Sequence, residues 1–245
     1  MEHVALVTGG GRGIGAATAR LLAADGYAVA VNYRINSEAA ERVVADIKAD
    51  GGRAVALRAD VSQEADVTQL FESVDAQLGR ITALVNNAAI RGPRVRVDEL
   101  RLEDLRQVLA VNVIGVILCS QQAVRRMSTH HGGAGGAIVN VSSGDAHIGA
   151  PGAGVHYAAS KGAVNSFGIG LAQEVGAEGI RVNTVTPGLT RTDMPHPDAF
   201  EQGLAQIPAG RIGEPREIAE AIAWLLSDKS SFVAGANIRV AGGKP

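Results

Sequence analysis

The chain has 245 residues, 46% hydrophobic and 20% charged, and its 23 Lys and Arg against 25 Asp and Glu leave a net charge of −2. The apolar share excludes general disorder. The charge balance argues against a nucleic-acid or anionic-membrane partner, which a basic excess would mark. In chain order, Val4–Val7 reads as a strand and Ile14–Ala24 as a helix, followed by the pairs Ala28–Tyr33 and Ser37–Ala49, then Ala54–Ala59 and Glu64–Leu78. The strand Ala83–Asn86 precedes a long helix over much of Leu102–Ser128, and Ala137–Val141 precedes a helix over Tyr157–Val175. Arg181–Val185, the helix Glu214–Leu226 and the short strand Asn237–Val240 complete the series.

Seven strands alternating with six helices predict an α/β fold: one doubly wound, seven-stranded parallel sheet with helices on both faces, a Rossmann-type domain spanning 1–245. Runs such as Val4-Ala5-Leu6-Val7 lack polar alternation, as strands buried on both faces do. The segment 189–213, with Pro195, Pro197 and Pro208, interrupts the rhythm after the sixth strand and reads as a substrate lid. No run of about 18 apolar residues predicts a membrane span, and the opening Met1-Glu2-His3 lacks the basic region of a signal peptide. The one cysteine, Cys119, excludes an intrachain disulfide and fits a cytoplasmic setting. Cys119 and Trp224 fall on apolar helix faces and read as core.

Thr8-Gly9-Gly10-Gly11-Arg12-Gly13-Ile14-Gly15 follows the first strand and opens the first helix. Glycines there permit a sharp turn and close approach to a pyrophosphate, and the helix N-terminus offers unpaired N–H groups. A glycine turn without a ligand is the plainer alternative, but the place in a first βα unit favours a nucleotide. The pattern Thr8-Gly9-x-x-x-Gly13-Ile14-Gly15 resembles the cofactor motif of the classical short-chain dehydrogenases/reductases. The similarity continues through Asn86-Asn87-Ala88-Ala89, Asn112, Ser142-Ser143, Tyr157-x-x-x-Lys161, Pro187-Gly188 and Thr192. It spans essentially the whole chain, and some of its members reduce 3-oxoacyl carrier-protein substrates or oxidise glucose.

The second strand ends Val31-Asn32-Tyr33-Arg34 with no acid to hold a ribose 2′-hydroxyl. Arg34 and Arg12 are suited to a 2′-phosphate. NADP(H) is therefore favoured, with NAD(H), bound through hydroxyl contacts, as the alternative. The resemblance implies cofactor contacts from Gly9, Gly11, Arg12, Gly13, Ile14, Gly15, Tyr33, Arg34, Asp60, Val61, Asn87, Ala88, Tyr157, Lys161, Pro187, Gly188 and Thr192.

Tyr157 and Lys161, four apart, share a helix face. A phenol is a weak base near pH 7 unless neighbouring positive charge favours the phenolate. Lys161, with an oxidised nicotinamide, is expected to supply that charge, leaving Tyr157 as general base for alcohol oxidation and general acid for carbonyl reduction. Ser143, preferred over Ser142, would hold the substrate oxygen. By resemblance, Lys161 binds the nicotinamide ribose and Asn112 holds a water that extends a proton relay to Lys161. An amphipathic face, for Tyr157 and Lys161, and a polar plug, for Asn112, are the plainer alternatives. A dinucleotide-binding regulator without catalysis would not need all four.

Three departures accompany the resemblance. Ala89 replaces a customary Gly, the gap from Ser143 to Tyr157 is 14 residues, one longer than many members have, and Ala241 stands where Asp is frequent. The basic loop Arg91-Gly92-Pro93-Arg94-Val95-Arg96 reads as solvated, with an anion contact as the alternative. Asp145, His147 and His156 are candidates for a polar pocket, which favours a small polar carbonyl or alcohol substrate, such as a sugar or polyol, with NAD-dependent polyol oxidation as a second activity class. The apolar stretches Val108–Val124 and Val164–Val175 imply, by resemblance, a four-helix interface in a homotetramer, with the C-terminal strand forming a second contact.

Overall fold

The computed structural model describes residues 3–194, 200 and 203–244. Its seven strands are β1 (Val4–Val7), β2 (Ala28–Tyr33), β3 (Ala54–Arg58), β4 (Ala83–Asn86), β5 (Gly136–Val141), β6 (Ile180–Pro187) and β7 (Asn237–Val240). They form one sheet in the order β3-β2-β1-β4-β5-β6-β7, and every pairing is parallel. The chain reverses direction across the sheet between β1 and β4, which opens a crevice above their carboxyl ends, where doubly wound sheets bind ligands.

Helices α1 (Gly13–Ala24), α2 (Ser37–Ala49) and α8 (Pro215–Leu226) cover one face. Ala19, Leu22, Val43, Ile47, Ile218 and Ile222 from these helices meet Val7, Val31, Val85 and Val139 of the sheet. The other face carries α3 (Glu64–Gln77), α5 (Gly115–Met127) and α7 (Val155–Val175), whose Leu70, Phe71, Val74, Cys119, Met127 and Val175 pack on Leu6, Leu84, Ile138 and Val182. Local chemistry starts the helices where the sequence predicts: the Asn36 carboxamide accepts from the Ala39 N–H at 2.9 Å, and Pro215 opens α8 while the Glu217 carboxylate accepts from the Glu214 N–H at 2.8 Å.

Three expectations change. The long helix is interrupted: α4 (Leu102–Leu109) runs into a π turn over Ala110–Ile114 before α5 begins. An 18-residue window within Leu102–Met127 reaches a mean hydropathy of 1.6, enough for a membrane span, but half of that window is buried inside the fold. The extra length between Ser143 and Tyr157 folds as a one-turn helix, α6 (Asp145–Ile148), closed by Gly149 in the left-handed region. Trp224 is not core. It is 40% exposed, because Ile218, Ile222, Ala223, Leu225 and Leu226 take the inward positions of α8 and leave it on the outer face. Cys119 is buried as expected.

Candidate active site

Two adjoining cavities occupy the crevice. One, of about 420 Å³, lies over the glycine loop, the end of β2 and the Asp60 turn; the other, of about 660 Å³, lies over Ser143, Tyr157, Lys161 and the chain after β6. Ile14, Asn87, Ala89, Thr192, Asp193 and Met194 wall both.

The smaller cavity has the chemistry of a dinucleotide cradle. Gly9 and Gly13 adopt φ of +61° and +53°, a backbone region closed to most side chains. Arg12 precedes α1 in extended conformation without a side-chain cap, so the first N–H groups of the helix stay available to an anion. Gly9, Gly11, Arg12, Gly13, Ile14, Tyr33, Arg34, Asp60, Val61, Asn87 and Ala88 all line it. Gly15 lines neither cavity. A Cβ there would lie 2.5 Å from both the Gly9 oxygen and Asn87 Nδ2, so this glycine lets α1 press against the loop. Pro187, Gly188 and Thr192 border the larger cavity, where Gly188 admits the Ala241 backbone, 2.8 Å from where its Cβ would be.

Two residues hold this cradle that the sequence left without a role. Thr8 Oγ1 accepts from the N–H groups of Asn87 and Ala88, at 3.0 and 3.1 Å, and ties the glycine loop to the end of β4. Asn32, buried in β2, accepts from the Gly9 N–H at 3.2 Å and donates to the Leu57 and Ala59 carbonyls. An amide inside a β-branched strand needs such partners, and that was the signal available in the sequence. Ala89 keeps a negative φ, since Ala150 is the one non-glycine residue with positive φ among the described residues, so its methyl forms cavity wall without backbone strain.

The arginines favoured for a 2′-phosphate both face acids. Arg34 Nη1 lies 3.4 Å from Asp60 Oδ2, and Arg12 Nη1 lies 3.7 Å from Asp193 Oδ2. Burial pushes the Asp60 carboxyl up, but the Ser62 hydroxyl and N–H, together with Arg34, outweigh it and leave the acid below its ordinary range.

In the larger cavity, α7 presents Tyr157 and Lys161 one turn apart, both buried. Ser142 Oγ donates to the Lys161 carbonyl at 3.2 Å, whereas the Ser143 hydroxyl accepts from the Asp145 N–H and sits close enough to the phenol to favour its ionised form. Two cations stand near the Tyr157 phenol, Lys161 and Arg91. Lys161 Nζ donates to the Val141 carbonyl at 2.7 Å and stands 6.0 Å from the Tyr157 ring centroid, and burial lowers its ammonium to about 8. Burial pushes Tyr157 up to about 12, and the cation that opposes this shift is Arg91. The Arg91 guanidinium lies 4.9 Å from the Tyr157 ring centroid and donates to Asp145 Oδ2 at 2.8 Å.

The Asn112 side chain is held by the elements around it. Asn112 Oδ1 accepts from the Ile90 N–H, and Nδ2 donates to the Ile90 carbonyl and Ser160 Oγ, at 2.9, 2.9 and 3.0 Å. With its three polar bonds made there, the side chain clamps the loop after β4 to α7 and lines neither cavity. The basic loop is not simply solvated, because Arg91 and Arg94 line the larger cavity with Asp145. His147 is exposed outside it. His156 is buried, with both ring nitrogens unpartnered among the described residues, and faces Gly92 instead of the cavity. Of the predicted lid, Thr192 and Met194 wall the cavity, and the Tyr157 hydroxyl donates to Met194 Sδ at 3.8 Å; Pro195 and Pro197 lie outside the described residues.

The comparisons agree with this arrangement. A family model described as Enoyl-(Acyl carrier protein) reductase matches residues 9–244. The chain is 50% identical to the uncharacterized oxidoreductase YgfF of Escherichia coli, over 98% of this chain and 99% of that protein. It is 39% identical to a 3-oxoacyl-[acyl-carrier-protein] reductase of Synechocystis, over 98% of this chain and 96% of that protein. A short chain dehydrogenase from Burkholderia cenocepacia, solved in complex with NADP, superposes with a TM-score of 0.91 at 38% identity, covering 99% of this chain and 97% of that one. The chain belongs to the classical short-chain dehydrogenase/reductase family of NAD(P)-dependent oxidoreductases.

Proposed function

We propose that the protein is an NADP(H)-dependent oxidoreductase acting between the carbonyl and secondary-alcohol forms of a small polar substrate. The observation that carries this reading is the meeting of the two cavities at Ile14 and Asn87, one walled by Arg12 and Arg34, the other by Ser143 and Tyr157. The loop from Gly9 to Ile14 would cradle the pyrophosphate, Asp60 and Val61 the adenine, and Arg12 and Arg34 the 2′-phosphate. Asn87, Ala88, Pro187, Gly188 and Thr192 would frame the nicotinamide end, with Tyr157 and Lys161 reaching its ribose. The bound nicotinamide supplies or accepts the hydride.

The chain's own residues handle the oxygen and the proton. Ser143 holds the substrate oxygen against Tyr157. In reduction the carbonyl carbon gains the hydride while its oxygen takes the phenolic proton; in oxidation Tyr157 accepts that proton. Burial keeps the phenol protonated and so in the acid form, and it becomes a base only when further positive charge enters the site, as an oxidised nicotinamide brings. Met194 on the Tyr157 hydroxyl supports a lid over 189–213 that yields to the substrate. The single cysteine and the charge balance support a cytoplasmic enzyme. Leu109, Ile114, Ile117 and Ile169, exposed on the helices of one face, support a homotetramer.

NADPH and NADH fluorescence titrations test the cofactor. Tight NADPH binding that Arg34→Ala weakens by about ten-fold or more, with NADH unaffected, fits the proposal. The acids facing both arginines favour one second reading, an NAD-dependent sugar or polyol dehydrogenase, and NADH preference would select it. Tyr157→Phe is expected to cut turnover by about two to four orders of magnitude with cofactor binding retained.

A further inference from the structure

The larger cavity holds more positive charge than the proposed chemistry uses. Arg91, Arg94, Lys161 and Lys244 line it, against Asp145 and Asp193. Lys161 gives one N–H to the Val141 carbonyl and is assigned to the nicotinamide ribose above, and Asp193 is exposed and turned toward Arg12. Among the described residues, Arg94 and Lys244 have no side-chain partner, and Arg91 gives one N–H to Asp145 while its other donors have no acceptor. The Arg91 side chain is only 32% exposed, so those open donors are partly removed from water.

We infer that the substrate is itself an anion, a short oxo- or hydroxycarboxylate whose carboxylate is bound by Arg91 with Arg94 beside it. The inference rests on the oxidoreductase reading above and names its substrate class. A guanidinium offers five N–H donors in a planar fork that matches a carboxylate, and Asp145 occupies only one edge of it. The ion pair with Asp145 and the contact over the Tyr157 ring hold that fork in the cavity that Tyr157 also lines, so a carboxylate bound there shares the cavity with the reacting hydroxyl. The loop presents Arg91 in this direction because Gly92, at φ +72°, packs its backbone against Val108 and His156; a Cβ there would lie 2.7 and 2.8 Å from Val108 Cγ2 and His156 Nε2. A neutral polyol would leave the charge of Arg91 and Arg94 unanswered.

The test compares acid and ester forms of the same carbonyl compound: pyruvate, acetoacetate and levulinate against their methyl esters, followed by loss of NADPH. At least one acid is expected to exceed its ester in kcat/KM by about ten-fold or more, the usual return on a charge-assisted pair. Arg91→Gln should bring that ratio close to one, and Arg91→Lys should restore part of it. Arg96→Gln, altering an exposed residue paired with Asp98 outside the cavity, should leave the ratio unchanged. Cofactor titration of each variant separates lost recognition from lost folding. Esters equal to or better than acids in every pair would overturn the anionic substrate and leave the oxidoreductase reading intact. Reduction of neither form by protein that binds NADPH would also overturn it. Full turnover by Tyr157→Phe would instead strike at the oxidoreductase site itself.

Discussion

Arg91, and not Lys161, is the nearer cation to the Tyr157 ring: its guanidinium carbon lies 4.9 Å from the ring centroid and Lys161 Nζ lies 6.0 Å away. Arg91 comes from the loop after β4 and Tyr157 from α7, and Asp145 of α6 pairs with Arg91. Positive charge near a buried phenol favours its ionised form, which partly offsets the burial that pushes Tyr157 up to about 12.

Replacing Arg91 with Met therefore makes the phenol harder to ionise. Alcohol oxidation needs ionised Tyr157, so its kcat/KM rises as pH climbs through the tyrosine's titration. In Arg91→Met that rise should move to higher pH for a neutral alcohol. A pH profile that keeps its position while the rate merely drops would assign Arg91 to structure alone.

Lys161 makes the stability of the protein depend on pH. Burial lowers its pKa from 10.5 to about 8. Between those values the unfolded chain binds a proton that the folded chain does not, so stability rises with pH across that window, and below about 8 the penalty for the buried ammonium is fully present. Lys161→Met lacks this group. Urea unfolding should show wild type gaining on the variant between about pH 8 and 10.5, by an amount on the order of 3 kcal/mol at about 1.4 kcal/mol per unit. A constant difference across that range would contradict the buried, neutralising lysine.

Gly15→Ala tests the packing of the phosphate loop. The added methyl would lie 2.5 Å from the Gly9 oxygen and from Asn87 Nδ2, both held in place by the Thr8 and Asn32 bonds. Relief requires the loop to shift, at a cost of about 1–3 kcal/mol. A lower Tm together with weaker NADPH binding is expected, and a variant with wild-type values for both would mean that the loop yields freely.

The exposed row Ile114, Ile117 and Ile169 is expected to be covered by a second copy of the chain. Ile117→Asp combined with Ile169→Asp should convert a tetramer to a smaller species in sedimentation, with the far-UV spectrum retained. A wild-type protein that sediments as a monomer would remove the interface.

The sequence by itself determined the seven strands and the main helices between them, because β-branched runs, helix periodicity and capping residues act over a few neighbours, and this carried the parallel sheet and the placing of Ser143, Tyr157 and Lys161 on its crevice. It also carried the glycine loop, since the left-handed backbone at Gly9 and Gly13 is a local requirement. Tertiary structure decided what depends on residues far apart in the chain. Arg91 and Asp145 are 54 positions apart and Asn112 and Ser160 are 48 apart, so neither the charge beside Tyr157 nor the Asn112 clamp was visible along the chain. Trp224 shows the same limit: the helix and its apolar character were legible, but the side of α8 that meets the sheet depends on how α1 and α8 pack together, and that packing left the indole outside.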